Sequence, residues 1–336
     1  MRELLFKGIG VLILAISLLC GWLWMDYQAF RDTPLEVGKS GLHLEVEPGS
    51  HFSSIARELQ AKGALTHPRY LNWMARLEGV ASRIKTGEYL IAPGTTPPQL
   101  LRQLSEGKVI QYSLTLVEGW NFYEVMQAVE GDPNLKHTLK GLSDAAIMQR
   151  LGHPGEHPEG RFFPDTYYFP RGTADVQFLK RAYREMTERL QQAWQNRDKD
   201  LPLRTPYEAL ILASIIEKET GAPEERPEIA GVFVRRLRKH MRLQTDPAVI
   251  YGLGRSFDGN LRRRDLHHDT PYNTYMHRGL PPTPIAMPGE ASIYAALHPA
   301  PGDALYFVSR GDGTHKFSAT LKEHDAAVRR YQLNGK

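Results

Sequence analysis

The sequence predicts an α+β protein with an N-terminal transmembrane helix, a small βααβ module and a larger mixed domain. The transmembrane helix is predicted over residues 8–26, because no charged side chain occurs from Gly8 to Met25, which is about the minimum length for a membrane-spanning helix. Residues 41–108 have the pattern of a strand, two helices and a strand. Residues 109–334 hold helices and short strands in patches rather than in regular alternation, as in α+β folds.

The composition is that of a globular protein of about two domains, with 336 residues, of which 41% are hydrophobic and 24% charged. The net charge of +4 is too small to indicate nucleic-acid binding, so we expect no nucleic-acid partner. It weakly suits an anionic envelope polymer or a lipid surface. The single cysteine, Cys20, lies in the apolar run, so no intramolecular disulfide can form.

The charges that flank the apolar run predict its orientation. Arg2 and Lys7 precede it and Asp26 follows it, so the positive-inside rule places residues 1–7 in the cytoplasm and the bulk of the chain outside. A cleaved signal peptide is the alternative, but bulky residues follow the run where small ones favour cleavage. We therefore expect an uncleaved single-pass anchor, followed by a polar linker over residues 27–40.

The small module begins with a strand. Apolar and polar residues alternate from Leu42 to Val46, and Pro48-Gly49 supplies the turn that closes the strand. The stretch EPGSHFSSIARELQAKG resembles the LysM-like module that precedes the catalytic part of some murein enzymes. LysM modules bind glycans that contain N-acetylglucosamine, so glycan binding and a purely structural spacer are both open roles. The remaining predicted elements are helices over 53–62 and 68–78, a strand over 84–91 and a helix over 97–106.

The larger domain is predicted to begin with a strand and to end with a β-hairpin and a helix. An aromatic-dense stretch, residues 159–172, fits the edge of a core, although aromatic faces also stack on sugars. The predicted elements are a strand over 110–118, helices over 121–129, 176–196, 207–220 and 227–239, a hairpin turn at 311–313 and a last helix from about 321.

One of these helices carries the candidate catalytic residue. The stretch YEALILASIIEKETG predicts a helix from Tyr207 to Thr220, because good helix formers run up to a Gly and Pro stop. Glu217 shares one helix face with Ala213 and Ser214, and these two small residues leave room beside its carboxyl. A carboxyl beside an apolar run is a candidate general acid, since burial raises its proton affinity. A solvated surface glutamate is the alternative.

Several motifs together resemble one known family. ASIIEKETG, RLQTDPAVIYGLG, PYNTY, GLPPTPIAMPG, HPA and YFVSRGDGTHKF are similar, in order and spacing, to the YceG-like family of endolytic murein lytic transglycosylases. The resemblance implies that Glu217, in the EKET motif, is the catalytic residue. Glu219 is its competitor, since it falls on the helix row of Ile215 and Ile216. Only the resemblance favours Glu217.

The resemblance also implies a reaction and a location. Members of the family cleave the MurNAc–GlcNAc β-1,4 bond within nascent peptidoglycan strands and leave a 1,6-anhydro-MurNAc end. This implies a catalytic domain in the periplasm, held on the inner membrane, with glycan strands as substrate and peptidoglycan synthases as partners. A lytic enzyme needs one acid–base group, because the sugar's own C6 hydroxyl replaces water.

The substrate-binding residues are predicted from polar side chains that follow the catalytic helix. The hypothesised sugar-contacting set is Gln244, Thr245, Asp246, Tyr251 and Asn273. Two members also have structural alternatives, since Asp246 is a candidate helix cap and Asn273 a candidate turn residue.

No metal or cofactor is expected. His267, His268 and Asp269 match no metal-ligand spacing, and no Gly-rich phosphate loop occurs. The segment from Arg255 to Asp269 receives no predicted role.

Two other functions stay open at this point. One is a muramidase-type hydrolase in which Asp246 is the second carboxylate. The other is a non-catalytic envelope scaffold that binds glycan through the small module.

Overall fold

The computed structural model describes residues 2–333, with side chains from Phe6 onward. Met1, in the predicted cytoplasmic tail, and Asn334, the predicted end of the larger domain, lie outside the described residues, as do the side chains of residues 2–5. The described chain divides into two compact units. The N-terminal unit holds residues 2–112 and 169–172, and the C-terminal unit holds residues 113–168 and 173–333.

The first helix, α1 (Arg2–Asp32), is longer than the predicted anchor. Within its stretch Phe6–Asp32, an 18-residue window has a mean hydropathy of 2.2, so the helix is long and apolar enough to cross a membrane. The helix continues to Asp32 although the sequence predicts a linker from residue 27. Tyr27 and Phe30 explain the difference, since both are buried in the core of the N-terminal unit.

The N-terminal unit has the predicted order of strand, helix, helix and strand. Its two strands pair antiparallel, with Leu42 opposite Ile91. Leu44 and Val46 are buried between exposed neighbours, as the alternating pattern predicts. The last helix begins with the capping box of Thr96 and Gln99. The elements are β1 (Leu42–Val46), α2 (Phe52–Ala61), α3 (Pro68–Leu77), β2 (Gly87–Ile91) and α4 (Pro97–Glu106).

The strands of the C-terminal unit, which begins within β3, form two-stranded sheets, so helices supply most of its core. β3 pairs with β5, β4 with β6 in parallel, and β7 with β8 in the predicted antiparallel hairpin. The strands are β3 (Tyr112–Thr115), β4 (Leu135–Lys136), β5 (Thr166–Phe169), β6 (Thr173–Ala174), β7 (Tyr306–Ser309) and β8 (His315–Ser318).

Helix α8 (Pro206–Glu219) lies at the centre of this unit. Thr205 caps it by accepting the N–H of Glu208, and the helix ends before Gly221, as predicted. Its residues 209–216 are all buried, because four other helices pack around it. The other helices are α5 (Phe122–Gly131), α6 (Asp144–Leu151), α7 (Asp175–Gln195), α9 (Arg226–Arg238), α10 (Asp246–Leu253), α11 (Glu290–Leu297) and α12 (Leu321–Val328).

The aromatic-dense stretch mostly fills the core. Phe162, Phe163 and Tyr167 are buried in the C-terminal unit, and the Tyr167 hydroxyl donates to the carbonyl of Phe163 at 2.8 Å. Tyr168 is the exception, with 60% of its surface exposed. Most of these rings therefore pack in the core, as predicted for the aromatic-dense stretch.

Candidate active site

Glu217 lies in the last turn of α8, and its side chain is only 6% exposed. Oε2 accepts the backbone N–H of Gly289 at 2.9 Å. Oε1 lies 3.5 Å from Nη2 of Arg226, whose side chain is 12% exposed. The carboxyl is thus held by one neutral and one charged donor, and Glu217 is not the solvated surface glutamate of the alternative interpretation.

The Gly289 N–H is available because Gly289 is the N-cap of α11. The first N–H groups of a helix have no partner within the helix, and the helix dipole favours a negative charge there. Ser214 Oγ accepts the N–H of Ile285 at 3.0 Å and so anchors the loop that leads to Gly289. Part of the space that we expected beside the small residues of α8 is therefore occupied by this loop.

A second loop, residues 117–121, packs against the segment that leads to Gly289. Gly119 donates to the carbonyl of Met287 at 2.8 Å, and Met287 donates to the carbonyl of Trp120 at 2.7 Å. Lys218 Nζ donates to the carbonyl of Gly119 at 3.1 Å. This pairing fixes the loop after β3 to the segment that precedes α11.

Glu118, in this loop, is a site residue that the sequence analysis missed. Its carboxyl lies over Gly289, where any Cβ would overlap it. Partial burial and the negative charge of Glu217 raise the pKa of Glu118, and Arg226 opposes the shift. The signal in the sequence was Glu118 followed by a glycine at the end of a predicted strand, residues 110–118. In the structure this strand ends earlier, at Thr115, so Glu118 lies in the loop.

Glu219, the competitor, lies in a different environment. Burial raises the pKa of Glu219 to about 7, while the Thr245 hydroxyl lowers it and the negative charge of Asp246 raises it further. Arg236 also lowers it, and the Arg236 guanidinium itself donates to the carbonyl of Leu243 at 2.8 Å. Glu219 therefore belongs to a buried polar cluster between α8, α9 and the start of α10.

Three of the predicted sugar-contacting residues bond to the protein beside this cluster. Gln244 has a left-handed backbone, with φ of 51°, and its Oε1 accepts from Arg236 at 3.3 Å. Thr245 is buried, and its N–H donates to Oγ1 of Thr274 at 2.9 Å. Asp246 is the first residue of α10 and makes no cap; it accepts the Tyr275 hydroxyl at 2.6 Å.

Asn273, a fourth member of the set, is fully buried and organises a loop. Its amide donates to the carbonyls of Leu266 at 3.1 Å and His268 at 2.7 Å, and its Oδ1 accepts the N–H of Tyr275 at 3.0 Å. These bonds hold the end of the segment from Arg255 to Asp269, for which no role is predicted. These contacts match the alternative interpretation, in which Asn273 holds a turn.

Tyr251, the fifth member, lines a cavity of about 810 Å³ in the C-terminal unit. Its hydroxyl donates to Glu159 at 3.0 Å, and Glu159 also accepts the N–H of Phe122. Burial raises the pKa of Glu159 to about 7, although both of these bonds lower it. Glu159 is a second residue that sequence reasoning missed, because it lies in the aromatic-dense stretch.

The rim of the cavity carries an exposed aromatic ring. Tyr123 is 53% exposed, and the Arg255 guanidinium lies 4.9 Å from the centre of its ring. Residues 121–123 line the cavity and directly follow the loop that touches the end of α8. The volume is in the usual range for sites that bind small molecules.

Among residues 2–333, no three His, Cys, Asp or Glu side chains are grouped as metal ligands would be. The arrangement around Glu217 offers acid–base chemistry, with a carboxyl held by Gly289 and Arg226 and a second carboxyl beside it.

The chain is similar to bacterial proteins in both sequence and structure. A Bacillus subtilis endolytic murein transglycosylase is 30% identical over 310 residues, which are 87% of this chain and 85% of that protein. The Streptococcus pneumoniae protein of the same name is 25% identical over 358 residues, and the match covers 93% of this chain and 63% of that protein. A YceG-like protein from Listeria monocytogenes, known from its crystal structure, is 29% identical, with a TM-score of 0.53, and the match covers 86% of this chain and 99% of that one.

The sequence model of the YceG-like family matches residues 44–330, which are most of the chain. The resemblance inferred from the EKET motif and its companions is thereby confirmed, and the chain belongs to the YceG-like family.

Proposed function

We propose that this protein is an endolytic peptidoglycan lytic transglycosylase that cleaves the MurNAc–GlcNAc β-1,4 bond of nascent glycan strands. Glu217 is its catalytic acid–base, and the products carry 1,6-anhydro-MurNAc ends. The observation that supports this most directly is the Glu217 carboxyl, which is nearly buried and held by Gly289 and Arg226 in a chain whose relatives are named endolytic murein transglycosylases.

The reaction needs one carboxyl in two protonation states. Protonated Glu217 gives its proton to the glycosidic oxygen as the bond to C1 breaks. The C6 hydroxyl oxygen then bonds to C1, and its proton returns to Glu217. The nucleophile belongs to the substrate, so proximity replaces a positioned water. The Gly289 N–H and the Arg226 guanidinium stabilise the carboxylate that exists between the two transfers.

We place sugar units of the strand in the cavity lined by Tyr251, with Tyr123 and Arg255 at its rim. An aromatic ring offers an apolar face to a sugar, and the polar groups around it offer hydrogen bonds. That Gln244, Thr245, Asp246 and Asn273 contact sugar stays a prediction. Their bonds to Arg236, Thr274, Tyr275 and the 265–275 loop support a role in shaping the site.

The proposed location is supported by α1, which is long and apolar enough to cross a membrane. We propose a single-pass anchor in the inner membrane, with the N-terminus in the cytoplasm and the chain after residue 26 in the periplasm. The same proposal includes glycan binding by the N-terminal unit, as in LysM modules, and a partnership with peptidoglycan synthases. The synthase partnership rests on the family resemblance alone.

We expect Glu217→Gln to abolish strand cleavage, because glutamine neither gives nor takes the proton. Activity on purified glycan strands falls about 10²–10⁴-fold or more, the usual worth of general acid–base catalysis. Glu219→Gln is the matched control and keeps activity within about tenfold of wild type. Mass spectrometry of the wild-type products shows ends that lack one water relative to reducing ends.

Reducing ends instead would indicate the hydrolase. A protein that binds strands and releases no fragments would indicate the scaffold. Full activity of Glu217→Gln together with inactive Glu219→Gln would reverse the assignment.

We expect Glu219→Gln to change how stability depends on pH. The pKa of Glu219 is raised to about 7 in the folded state, from an ordinary value of 4.5. The folded state therefore binds this proton more tightly, so the stability it provides is full below pH 4.5 and is lost as the pH rises through 7. Glu219→Gln loses less free energy of unfolding between pH 5 and pH 8 than wild type does, by an amount on the order of 1–3 kcal/mol.

Glu159 has a similarly raised pKa, so some pH dependence remains in the variant. Denaturant unfolding of the C-terminal unit at several pH values measures the difference. If the free energy of unfolding changed with pH by the same amount in Glu219→Gln and in wild type, the buried position of this carboxyl would be contradicted.

We expect Tyr123→Ala to weaken substrate binding without slowing the chemical step. Loss of the ring raises KM about 2–10-fold and leaves kcat within about twofold, as for uniform binding. Tyr168→Ala is the control, since that ring is as exposed but does not line the cavity. Equal KM values for the two variants would remove the cavity from the proposal.

We expect protease added to spheroplasts to digest the full-length protein, because the proposed topology places the chain after residue 26 outside the cytoplasmic membrane. Protease on the cytoplasmic face of inverted vesicles leaves it intact apart from the N-terminal tail. The opposite pattern would contradict the orientation that the positive-inside rule predicts.

A further inference from the structure

Two carboxyl groups meet at Gly289, and the proposed function uses only one of them. Glu217 Oε2 accepts the Gly289 N–H at 2.9 Å, while the Glu118 carboxyl lies over Cα of the same residue. Glu217 comes from α8 and Glu118 from the loop after β3. The fold therefore brings together two acids that are far apart in the sequence.

The position of Glu118 is fixed by its loop. On the C-terminal side of Glu118, Gly119 and Trp120 exchange backbone hydrogen bonds with Met287, at 2.8 and 2.7 Å. Lys218, next to Glu217 in the sequence, holds the Gly119 carbonyl at 3.1 Å. Because both sides of the contact are held by backbone bonds, the Glu118 carboxyl stays near Gly289 although the residue itself remains exposed to solvent.

Few charges face this carboxyl. Glu217 raises its proton affinity, and Arg226 on α9 opposes this. Lys218 is occupied by the Gly119 carbonyl, and Glu290, next to Gly289, is paired with Arg189 at 2.7 Å. Among the described side chains, which begin at Phe6, none donates a hydrogen bond to Glu118. Glu217 is therefore its principal like-charged neighbour.

Resting on the proposed function, we propose that Glu118 is a positioning residue for the acid–base step, and that its negative charge beside Gly289 keeps a proton on the two-carboxyl site at the working pH. Like charges close together repel, so a carboxylate at Glu118 disfavours a second negative charge beside Gly289. Glu217 gives that proton to the glycosidic oxygen and receives the C6 hydroxyl proton afterwards. Glu118 itself gains and loses none over the cycle.

The proposed mechanism needs a charge that opposes Gly289 and Arg226. Both of these groups stabilise the carboxylate form of Glu217, which favours the state between the two proton transfers but disfavours the protonated form that donates to the glycosidic oxygen. Glu118 supplies the opposing charge. Because Glu118 is exposed, water and salt screen this charge, so its effect is smaller than that of a buried pair.

The test compares pH profiles of kcat/KM for wild type, Glu118→Gln and Glu290→Gln. Glu118→Gln removes the charge and keeps the shape, so the alkaline limb moves to lower pH by about 0.5–1 unit. As a result, kcat/KM at pH 8 falls about 3–10-fold relative to wild type. The products keep their anhydro ends. Glu290→Gln, which also removes a charge beside Gly289, leaves the profile unchanged.

Gly289→Ala tests the same contact from the other side. The φ of Gly289 is −77°, which alanine adopts freely, and the N–H to Glu217 is retained. The new Cβ displaces the Glu118 carboxyl, so Gly289→Ala reproduces the profile of Glu118→Gln. The double variant is no slower than either single one, because both remove the same interaction.

An unshifted profile for Glu118→Gln, or strictly additive losses in the double variant, would overturn this proposal and leave the assignment of Glu217 intact. An active Glu217→Gln would instead overturn the proposed function. Complete inactivity of Glu118→Gln at every pH would assign Glu118 a direct part in the chemistry and would also overturn the positioning role.

Discussion

The hydrogen bond from the Gly289 N–H to Glu217 is the contact on which the candidate site depends. It joins the C-terminal end of α8 to the N-terminal end of α11, two helices that also pack along their buried faces. A helix start has donors without intrahelical partners, and a carboxylate satisfies one of them. Ser214 anchors the approaching loop one turn earlier on α8. One face of one helix therefore fixes both the acid and its donor.

The local elements were predictable because their signals are local. The predicted helices over 97–106 and 207–220 lie within one residue of α4 and α8, which Thr96 with Gln99 and Thr205 cap in the structure. The end of α1 was not predictable, since Tyr27 and the residues around it look like a polar linker until they are packed. Glu217 was found through a motif. Its partners Glu118, Arg226 and Gly289 were missed, because no spacing in the sequence shows which distant segments meet.

The polar residues after α8 show a different limit. A cluster such as Gln244 and Thr245 has the same sequence whether it binds sugar or satisfies buried neighbours. In the structure, Asn273 is engaged by three backbone carbonyls or amides of its own loop, as buried polar groups usually are. Tyr251 is the member of the predicted set that lines the cavity, beside Glu159, which carried no recognisable pattern.

Glu217 and Glu219 are two residues apart, and their surroundings separate their roles. Burial raises the pKa of Glu219 to about 7, which shows that its charge costs stability within the cluster around Arg236. A raised pKa alone does not make an acid–base catalyst, because the same group must also be stable after it has lost its proton. In the proposed mechanism Glu217 is that group: Gly289 and Arg226 contact its carboxyl, and the Glu118 carboxyl lies beside the same glycine. A carboxyl balanced between opposing neighbours can change protonation state twice in one turnover, whereas one held by burial resists the first loss.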